Sequence, residues 1–256
     1  MEAKRKPHEQ MWEIKQSAEP GKLELYIYGD VEGDGYDLWT GGIVKSETSA
    51  NKFREELGGH KDVKQIDVFV NSYGGSVFEG TAIYNQLRRH PAHKTVHIDG
   101  FACSIASVIA MAGDEVIMPR NALMMVHNMW MYASGNSAEL RKAADDLDKI
   151  NAAGREAYLA KSGGKLDAAK LAEMMDGETW MTAEECITYG LADRFADQDA
   201  DMEQATEILQ KANLSTAQRI KAQMSLAAQL RQLTGPAENP EPGAEKNPIL
   251  KLFEGR

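Results

Sequence analysis

The sequence has little of several features that would assign a protein to a class at once. Its two cysteines, Cys103 and Cys186, cannot build a disulfide framework and are typical of a reducing compartment. Basic residues are not in excess, since 39 acidic against 29 basic residues give a net charge of −10. No run of about 18 apolar residues occurs. We therefore expect a protein that binds neither nucleic acid nor a membrane.

Composition divides the chain into three parts. Residues 1–22 are charged and polar and have no apolar core of signal-peptide length, so we expect the N-terminal extension of a cytoplasmic protein. Residues 23–197 have the mixed pattern of a globular domain. Residues 198–256 form a tail with a helix-prone stretch, a disordered Pro-rich linker at 235–248 and the apolar tip Ile249–Phe253.

Short β-rich segments alternate with amphipathic segments inside the globular part. Strands are predicted at 23–28, 65–70, 95–99, 115–118 and 123–127, with a last short strand after Asp193. Helices are predicted at 50–57, 76–90, 104–113, 136–161 and 167–175, with another starting at Thr182. Residues 1–21 are predicted to be irregular, 71–75 a glycine loop and 176–179 a polar turn. The alternation predicts βαβ units and an α/β fold with a mainly parallel sheet.

One serine lies in a turn suited to a nucleophile. Ser104 stands among small residues shortly after the strand predicted at 95–99, and an apolar segment then leads to His127, the last histidine. Small neighbours let a substrate approach, a strand-to-helix turn orients the hydroxyl, and an imidazole from the next strand can take its proton. Because Ala102 and Ala106 flank the serine, this is not a Gly-x-Ser-x-Gly elbow.

A glycine loop, Asn71–Gly75, precedes both residues in the chain. It follows a predicted strand and opens a helix, so its N–H groups can face an anion. Ser76 and Val77 stand where a phosphate loop has Lys-Ser/Thr, which argues against nucleotide binding. An oxyanion hole uses the same geometry for a smaller charge. The order of glycine loop, serine turn and histidine therefore favours nucleophilic catalysis.

Five segments resemble those of the ClpP serine peptidases and follow the same order. They are Tyr26–Gly29, Val70–Val77, Gly100–Ala106, Met125–Asn128 and Trp180–Asp193. The resemblance extends from about Leu23 to Phe195 and implies a ClpP/crotonase-like fold, with 136–161 as a protruding handle helix. The charged N-terminal extension, Trp12 and the tail make the layout most like the ClpP-related head maturation proteases of tailed bacteriophages.

The resemblance implies a role for each residue of the pattern. Ser104 is expected to be the nucleophile, and His127 the general base and later the acid for the leaving amine. The backbone N–H groups of Gly75 and Ile105 are expected to form the oxyanion hole. The third member falls on Glu178, where the family usually has aspartate, and a glutamate can also orient an imidazole.

The identity of the catalytic acid remains open between two residues of the same turn. Asp176 lies two residues before Glu178, and a weak or dyad-like site without either acid is the third alternative. We expect no cofactor and no metal, because the spacing of His90, His93 and His97 is not clearly completed by a carboxylate or a cysteine. Activity is expected to fall as His127 protonates near the ordinary value of about 6.5.

The resemblance also implies a polypeptide substrate and a ring-shaped homo-oligomer, heptameric or of stacked rings. Our first interpretation is an ATP-independent or partner-assisted serine endopeptidase that processes phage capsid or scaffold proteins in the host cytoplasm. The alternatives are a host-type proteolytic subunit that works with an ATP-dependent unfoldase, and a catalytically weak assembly or scaffold protein. Residues 1–22 do not resemble the family's axial gate, which favours the first interpretation over the second.

Overall fold

The computed structural model describes residues 12–36 and 42–196. The strands in these ranges are β1 (Trp12–Gln16), β2 (Lys22–Val31), β3 (Gly35–Tyr36), β4 (Ile43–Val44), β5 (Gln65–Gly75), β6 (His93–Cys103), β7 (Glu115–Met118), β8 (Leu123–Val126), β9 (Thr179–Thr182) and β10 (Arg194–Phe195). The helices there are α1 (Ala50–Leu57), α2 (Val77–Arg89), α3 (Ile105–Ala110), α4 (Ser137–Ser162), α5 (Ala168–Asp176) and α6 (Ala183–Thr188). The predictions for residues 1–11 and for the tail at 198–256 lie outside the described residues.

An eight-stranded sheet forms the centre of the domain, in the order β1-β2-β5-β6-β7-β10, with β8 beside β6 and β9 beside β8. β2, β5, β6 and β7 are parallel neighbours in that order. Alternate residues of β2 (Leu23, Leu25 and Ile27) are fully buried, because successive side chains of a strand point to opposite faces. Ile83 and Leu87 of α2 are buried in the same apolar core. The predicted α/β fold is confirmed.

Strand β6 pairs with a different neighbour in each of its halves. Thr95–His97 pair with β7, and Phe101–Cys103 pair with β8, so the sheet divides along this strand. β8 also pairs with β9, in antiparallel orientation. α3 begins at Ile105, directly after β6. Residue 104 therefore lies at the carboxyl end of β6, next to β8.

The 26-residue helix α4 is buried only in its second half. No residue of 137–150 is buried, whereas Asn151, Ala157, Tyr158 and Ser162 are. Asn136 starts the helix with a capping box, accepting hydrogen bonds from the N–H groups of Ala138 and Glu139. The first half of α4 is therefore the less buried half, and its assignment as a handle stays a prediction. Among the described helices none is long and apolar enough to cross a bilayer.

Several segments differ from the sequence prediction, and three of them are strands or strand extensions formed by backbone pairing. Residues 12–16, expected to be irregular, form an edge strand antiparallel to β2, in agreement with the alternation of apolar Trp12 and Ile14 with charged Glu13 and Lys15. The expected loop at 71–75 continues β5, since Gly74 and Gly75 pair with Asp30 and Val31 of β2. Residues 179–182 form β9, which is too short to show a period of two and is stabilised by pairing with β8.

Candidate active site

Ser104 lies in a strained turn between β6 and α3. Its φ of 53° and ψ of −132° fall in a region that side chains rarely adopt. Its N–H donates to the Met125 carbonyl at 2.9 Å. This sharp strand-to-helix turn leaves the serine side chain half-exposed at the end of the sheet, as a nucleophile elbow does. The elbow geometry therefore forms here without the Gly-x-Ser-x-Gly sequence.

Two glycines let β5 approach this turn closely. Gly74 has a φ of +107°, and a Cβ there would lie 2.7 Å from the Cβ of Ser104 and 3.2 Å from the nitrogen of Ile105. Gly75 has a φ of +142°, and a Cβ there would lie 2.2 Å from the Val31 carbonyl oxygen. The glycine segment, Ser104 and the Ile105 N–H are thus brought together. Because the Ile105 N–H lies in the first turn of α3, it has no intrahelical acceptor and can face a ligand.

His127 follows the last residue of β8, and its Nε2 lies 2.7 Å from the Ser104 Oγ. The next two residues fix this position. The Asn128 N–H donates to the Met175 carbonyl at 3.2 Å, and the Met129 N–H donates to the buried Asn151 Oδ1 at 2.7 Å. Burial lowers the pKa of His127, and this effect exceeds the opposing attraction of the Glu178 carboxylate. The acid limb of a reaction that needs neutral His127 is therefore expected below 6.5, a correction to the sequence prediction.

The two candidate acids differ in their interactions. Glu178 has a φ of 49°, is exposed, and acts on His127 through its charge, which raises the pKa of the imidazole. Among the described residues, no hydrogen bond joins this carboxylate to the ring. Asp176 instead accepts a hydrogen bond at 2.6 Å from the Asn128 Nδ2. The geometry therefore favours Glu178 over Asp176 as the group that interacts with His127.

Sequence reasoning did not single out Asn128, although it follows His127 directly in a family-like segment. Its side-chain amide donates a hydrogen bond to Asp176, and this contact between residues 48 positions apart could not be predicted from their spacing.

The three histidines with loosely metal-like spacing do not converge on one site. His90 accepts from the Ala92 N–H, and the His97 ring stacks on Phe69 with centroids 4.9 Å apart. Within residues 12–36 and 42–196, no cluster of histidine, cysteine or acidic residues could hold a metal ion.

The arrangement has the parts needed for acyl transfer. A hydroxyl is hydrogen-bonded to an imidazole with a lowered pKa, so the imidazole is neutral at pH 7 and can accept the proton. The glycine segment and the Ile105 nitrogen lie close to Ser104, where backbone N–H groups can stabilise the negative charge on an attacked carbonyl oxygen. Cys103 is adjacent but buried, and burial raises the pKa of its thiol to about 12, so it is not a competing nucleophile.

Known proteins with similar sequences share this domain. A family model described as Clp protease matches residues 45–199. ATP-dependent Clp protease proteolytic subunit 3 of Streptomyces coelicolor is 31% identical over 170 residues, which cover 64% of this chain and 77% of the relative. The protein of the same name from Rhodococcus jostii is 28% identical over 141 residues, 54% of this chain and 69% of the relative. The ATP-dependent Clp protease proteolytic subunit of Pleurastrum terricola is 31% identical over 138 residues, 53% and 69% respectively.

These matches, added to the fold, define the class of protein as an α/β peptidase of the serine type. Within that class, the chain belongs to the Clp protease family.

Proposed function

We propose that this chain is a serine endopeptidase in which Ser104 is the nucleophile and His127 the general base. The observation that supports this most directly is the 2.7 Å contact between the His127 Nε2 and the Ser104 Oγ at a strained turn. Strained backbone outside glycine is costly and concentrates at functional sites. A core histidine satisfied by a structural serine would not require that strain.

The proposed reaction follows from the positions of these groups. The Ser104 Oγ attacks the scissile carbonyl carbon while His127 takes the hydroxyl proton. The resulting oxyanion is stabilised by the N–H groups of Gly75 and Ile105. His127 then gives its proton to the leaving amine, and water hydrolyses the acyl-enzyme by the same steps. The Glu178 carboxylate stabilises the imidazolium through its charge, in agreement with its effect on the pKa of His127.

We also propose that the active form is a homo-oligomeric ring, single or stacked, that encloses a polypeptide substrate. The exposed half of α4, residues 137–150, supports this because it carries apolar surface that the single chain does not bury. Leu140 on that half is 45% exposed. Sedimentation of the full chain tests the proposal: a monomer at micromolar concentration would contradict it.

The biological role we propose is cleavage of capsid or scaffold proteins during phage head assembly in the host cytoplasm. The sequence supports it through residues 1–22, which do not resemble the family's axial gate, and through the additional segment 198–256. A second candidate is a proteolytic subunit fed by an ATP-dependent unfoldase, which the printed names of the relatives favour. Co-expression of the chain with a prohead scaffold protein separates them. Scaffold cleavage without an ATPase supports the first, and degradation only with an unfoldase and ATP supports the second.

Labelling with a fluorophosphonate probe tests the chemistry. We expect one adduct, mapped to Ser104, and its loss in Ser104→Ala and in His127→Ala. Ser162→Ala is the control, because Ser162 is a buried serine outside the proposed site whose Oγ donates to the backbone carbonyl of Leu159 at 2.9 Å. An unlabelled wild-type protein of native oligomeric state would contradict the proposal and would favour the catalytically weak scaffold.

A further inference from the structure

A buried pair of hydroxyl groups lies beneath the nucleophile turn. The Ser107 Oγ of α3 and the Tyr158 hydroxyl of α4 are 2.7 Å apart. Ser107 is fully buried and Tyr158 is 2% exposed. The Ser107 Oγ also lies 2.6 Å from the carbonyl oxygen of Ser104 and 3.2 Å from that of Met125. Two hydroxyls thus connect the long helix to the backbone of Ser104.

The protons of these groups can be assigned by counting donors and acceptors. Each hydroxyl carries one proton, and burial raises the pKa of Tyr158, so the phenol is protonated. If Ser107 donated to Tyr158, the phenol proton would have no acceptor among the described residues, which is costly for a buried donor. Tyr158 therefore donates to Ser107, and Ser107 donates to the Ser104 carbonyl, its nearer acceptor.

The Ser104 carbonyl belongs to the same peptide unit as the Ile105 N–H. A trans peptide is planar, and its C=O and N–H point in opposite directions. A donor that fixes the carbonyl on the buried side of the turn therefore fixes the N–H on the other side. That side faces the glycine segment, since the Ile105 nitrogen lies 3.2 Å from the position of a Cβ on Gly74. A hydrogen bond to the carbonyl also polarises the unit and strengthens its N–H as a donor.

We propose that Ser107 and Tyr158 are positioning residues that orient the Ser104–Ile105 peptide, and with it the Ile105 N–H of the oxyanion hole. The inference rests on the proposed function, where that N–H stabilises the oxyanion. Neither residue touches the substrate. Tyr158 acts through Ser107, and Ser107 acts through the carbonyl of Ser104.

The alternative is that the pair only supports packing between α3 and α4, and the two roles predict different results. Removing one hydroxyl of a buried pair leaves its partner unsatisfied and destabilises the fold, whereas removing both relieves that penalty. In a packing role, activity follows stability and recovers in the double variant. In a positioning role, activity stays low in the double variant, because the carbonyl of Ser104 keeps the backbone N–H of position 107, at 3.0 Å, but still lacks the hydroxyl donor.

The experiment compares Ser107→Ala, Tyr158→Phe, the double variant and the control Ser162→Ala as full-length chains. The measurements are Tm, the second-order rate of fluorophosphonate labelling, and kcat and KM for a chromogenic peptide substrate. We expect kcat and the labelling rate to fall about tenfold in Ser107→Ala with KM unchanged, below the roughly 10²–10³-fold cost of losing an oxyanion donor outright. The double variant is expected to match Ser107→Ala in kcat and to exceed it in Tm, whereas Ser162→Ala lowers Tm alone.

Each result decides the question. A double variant that labels at the wild-type rate, while the wild type labels at Ser104, overturns the inference and leaves the proposed function intact. A wild-type protein without a Ser104 adduct overturns both. If Ser107→Ala does not fold, the double variant, which has no unsatisfied hydroxyl, gives the same test. A rise in KM with unchanged kcat would also overturn the inference, because an oxyanion donor acts in the transition state.

Discussion

Two turns of the site, around Ser104 and around Glu178, contain the positive-φ residues other than glycine in the described part of the chain. The φ angles are nearly equal, 53° and 49°. Their surroundings differ. The Ser104 turn is flanked by buried Cys103 and Ile105, whereas Glu178 and its neighbour Gly177 are exposed.

The difference lies in how each side chain is held. Ser104 is fixed through its N–H by Met125, through its carbonyl by Ser107 and through its Oγ by His127. The Glu178 turn is tied by its own N–H to the Met175 carbonyl at 3.3 Å and by the Thr179 hydroxyl to the Met174 carbonyl at 2.8 Å. Its carboxylate interacts with His127 by charge alone. The nucleophile and base are therefore preorganised, while the acid is held only at its backbone.

The largest effect is expected from breaking the tight turn with Gly74→Ala. The new Cβ would lie 2.7 Å from the Ser104 Cβ, and the backbone would have to keep a φ of +107°. Because small displacements of a nucleophile are costly, kcat/KM should fall about 100-fold or more. Peptide hydrolysis and labelling kinetics measure this. Gly74→Ala with activity within a few-fold of wild type would show that the turn is not packed as described.

Gly163→Ala is the matched control for that substitution. Gly163 also has a positive φ, +60°, but nothing lies within 4 Å of a Cβ placed there. It shares the backbone cost, roughly 1 kcal/mol, without the collision. We expect a lower Tm and unchanged kcat/KM. Comparing the two variants therefore separates the effect of backbone strain from the effect of the steric contact with Ser104.

Glu178→Gln tests the looser turn and is expected to have an intermediate effect. Since the carboxylate makes no hydrogen bond to His127, kcat should fall about tenfold, far less than the roughly 10⁴-fold seen where a bonded triad acid is replaced. The pH profile should also move. The negative charge of Glu178 raises the pKa of His127, so its removal lowers that pKa further and shifts the acid limb of kcat/KM to lower pH.

Asp176→Asn is the control for the acid, because Asp176 interacts with Asn128 instead of the ring. Its acid limb should coincide with that of the wild type. If Asp176→Asn moves the limb and Glu178→Gln does not, the assignment of the acid is wrong. Both profiles can be recorded with the peptide substrate between about pH 5 and 8.

The smallest effect concerns the strain itself. Glycine relieves a positive φ and alanine does not, so Glu178→Gly should be more stable than Glu178→Ala by about 1 kcal/mol. The same exchange at Ser104 should give a similar difference if the two φ angles carry equal strain. Urea denaturation of the four variants measures it. Equal stability of the glycine and alanine variants at Glu178 would mean that this turn relaxes in solution.

The sequence predicted the parts of the active site that follow from the order of motifs along the chain. The order of the glycine segment, Ser104 and His127 indicated which groups would meet, because strands of a parallel sheet bring their carboxyl ends to one edge. The Ser104–His127 contact now observed agrees with that order. β9 has only four residues, too few for a periodic signal, so its formation by pairing with β8 was not predictable.

Contacts between distant positions were not predictable in this way. Neither Tyr158, within the helix predicted at 136–161, nor Ser107, within that predicted at 104–113, stood out in the sequence, and their hydroxyl contact spans 51 positions. Likewise the resemblance placed the acid on Glu178 with Asp176 as the alternative, and the contact of Asp176 with Asn128 could not be predicted from either residue's place in the sequence. Such choices depend on three-dimensional hydrogen-bond geometry, which the residue pattern does not encode locally.

The position of β8 has a mechanical consequence. The carbonyl of Met125 holds the Ser104 N–H, and His127 follows two residues later on the same segment. The same short backbone segment therefore carries the nitrogen that takes the proton and holds, through a hydrogen bond, the residue that carries the reacting oxygen. If a bound substrate deforms the domain, we expect both atoms to move together, so that the distance between them changes little.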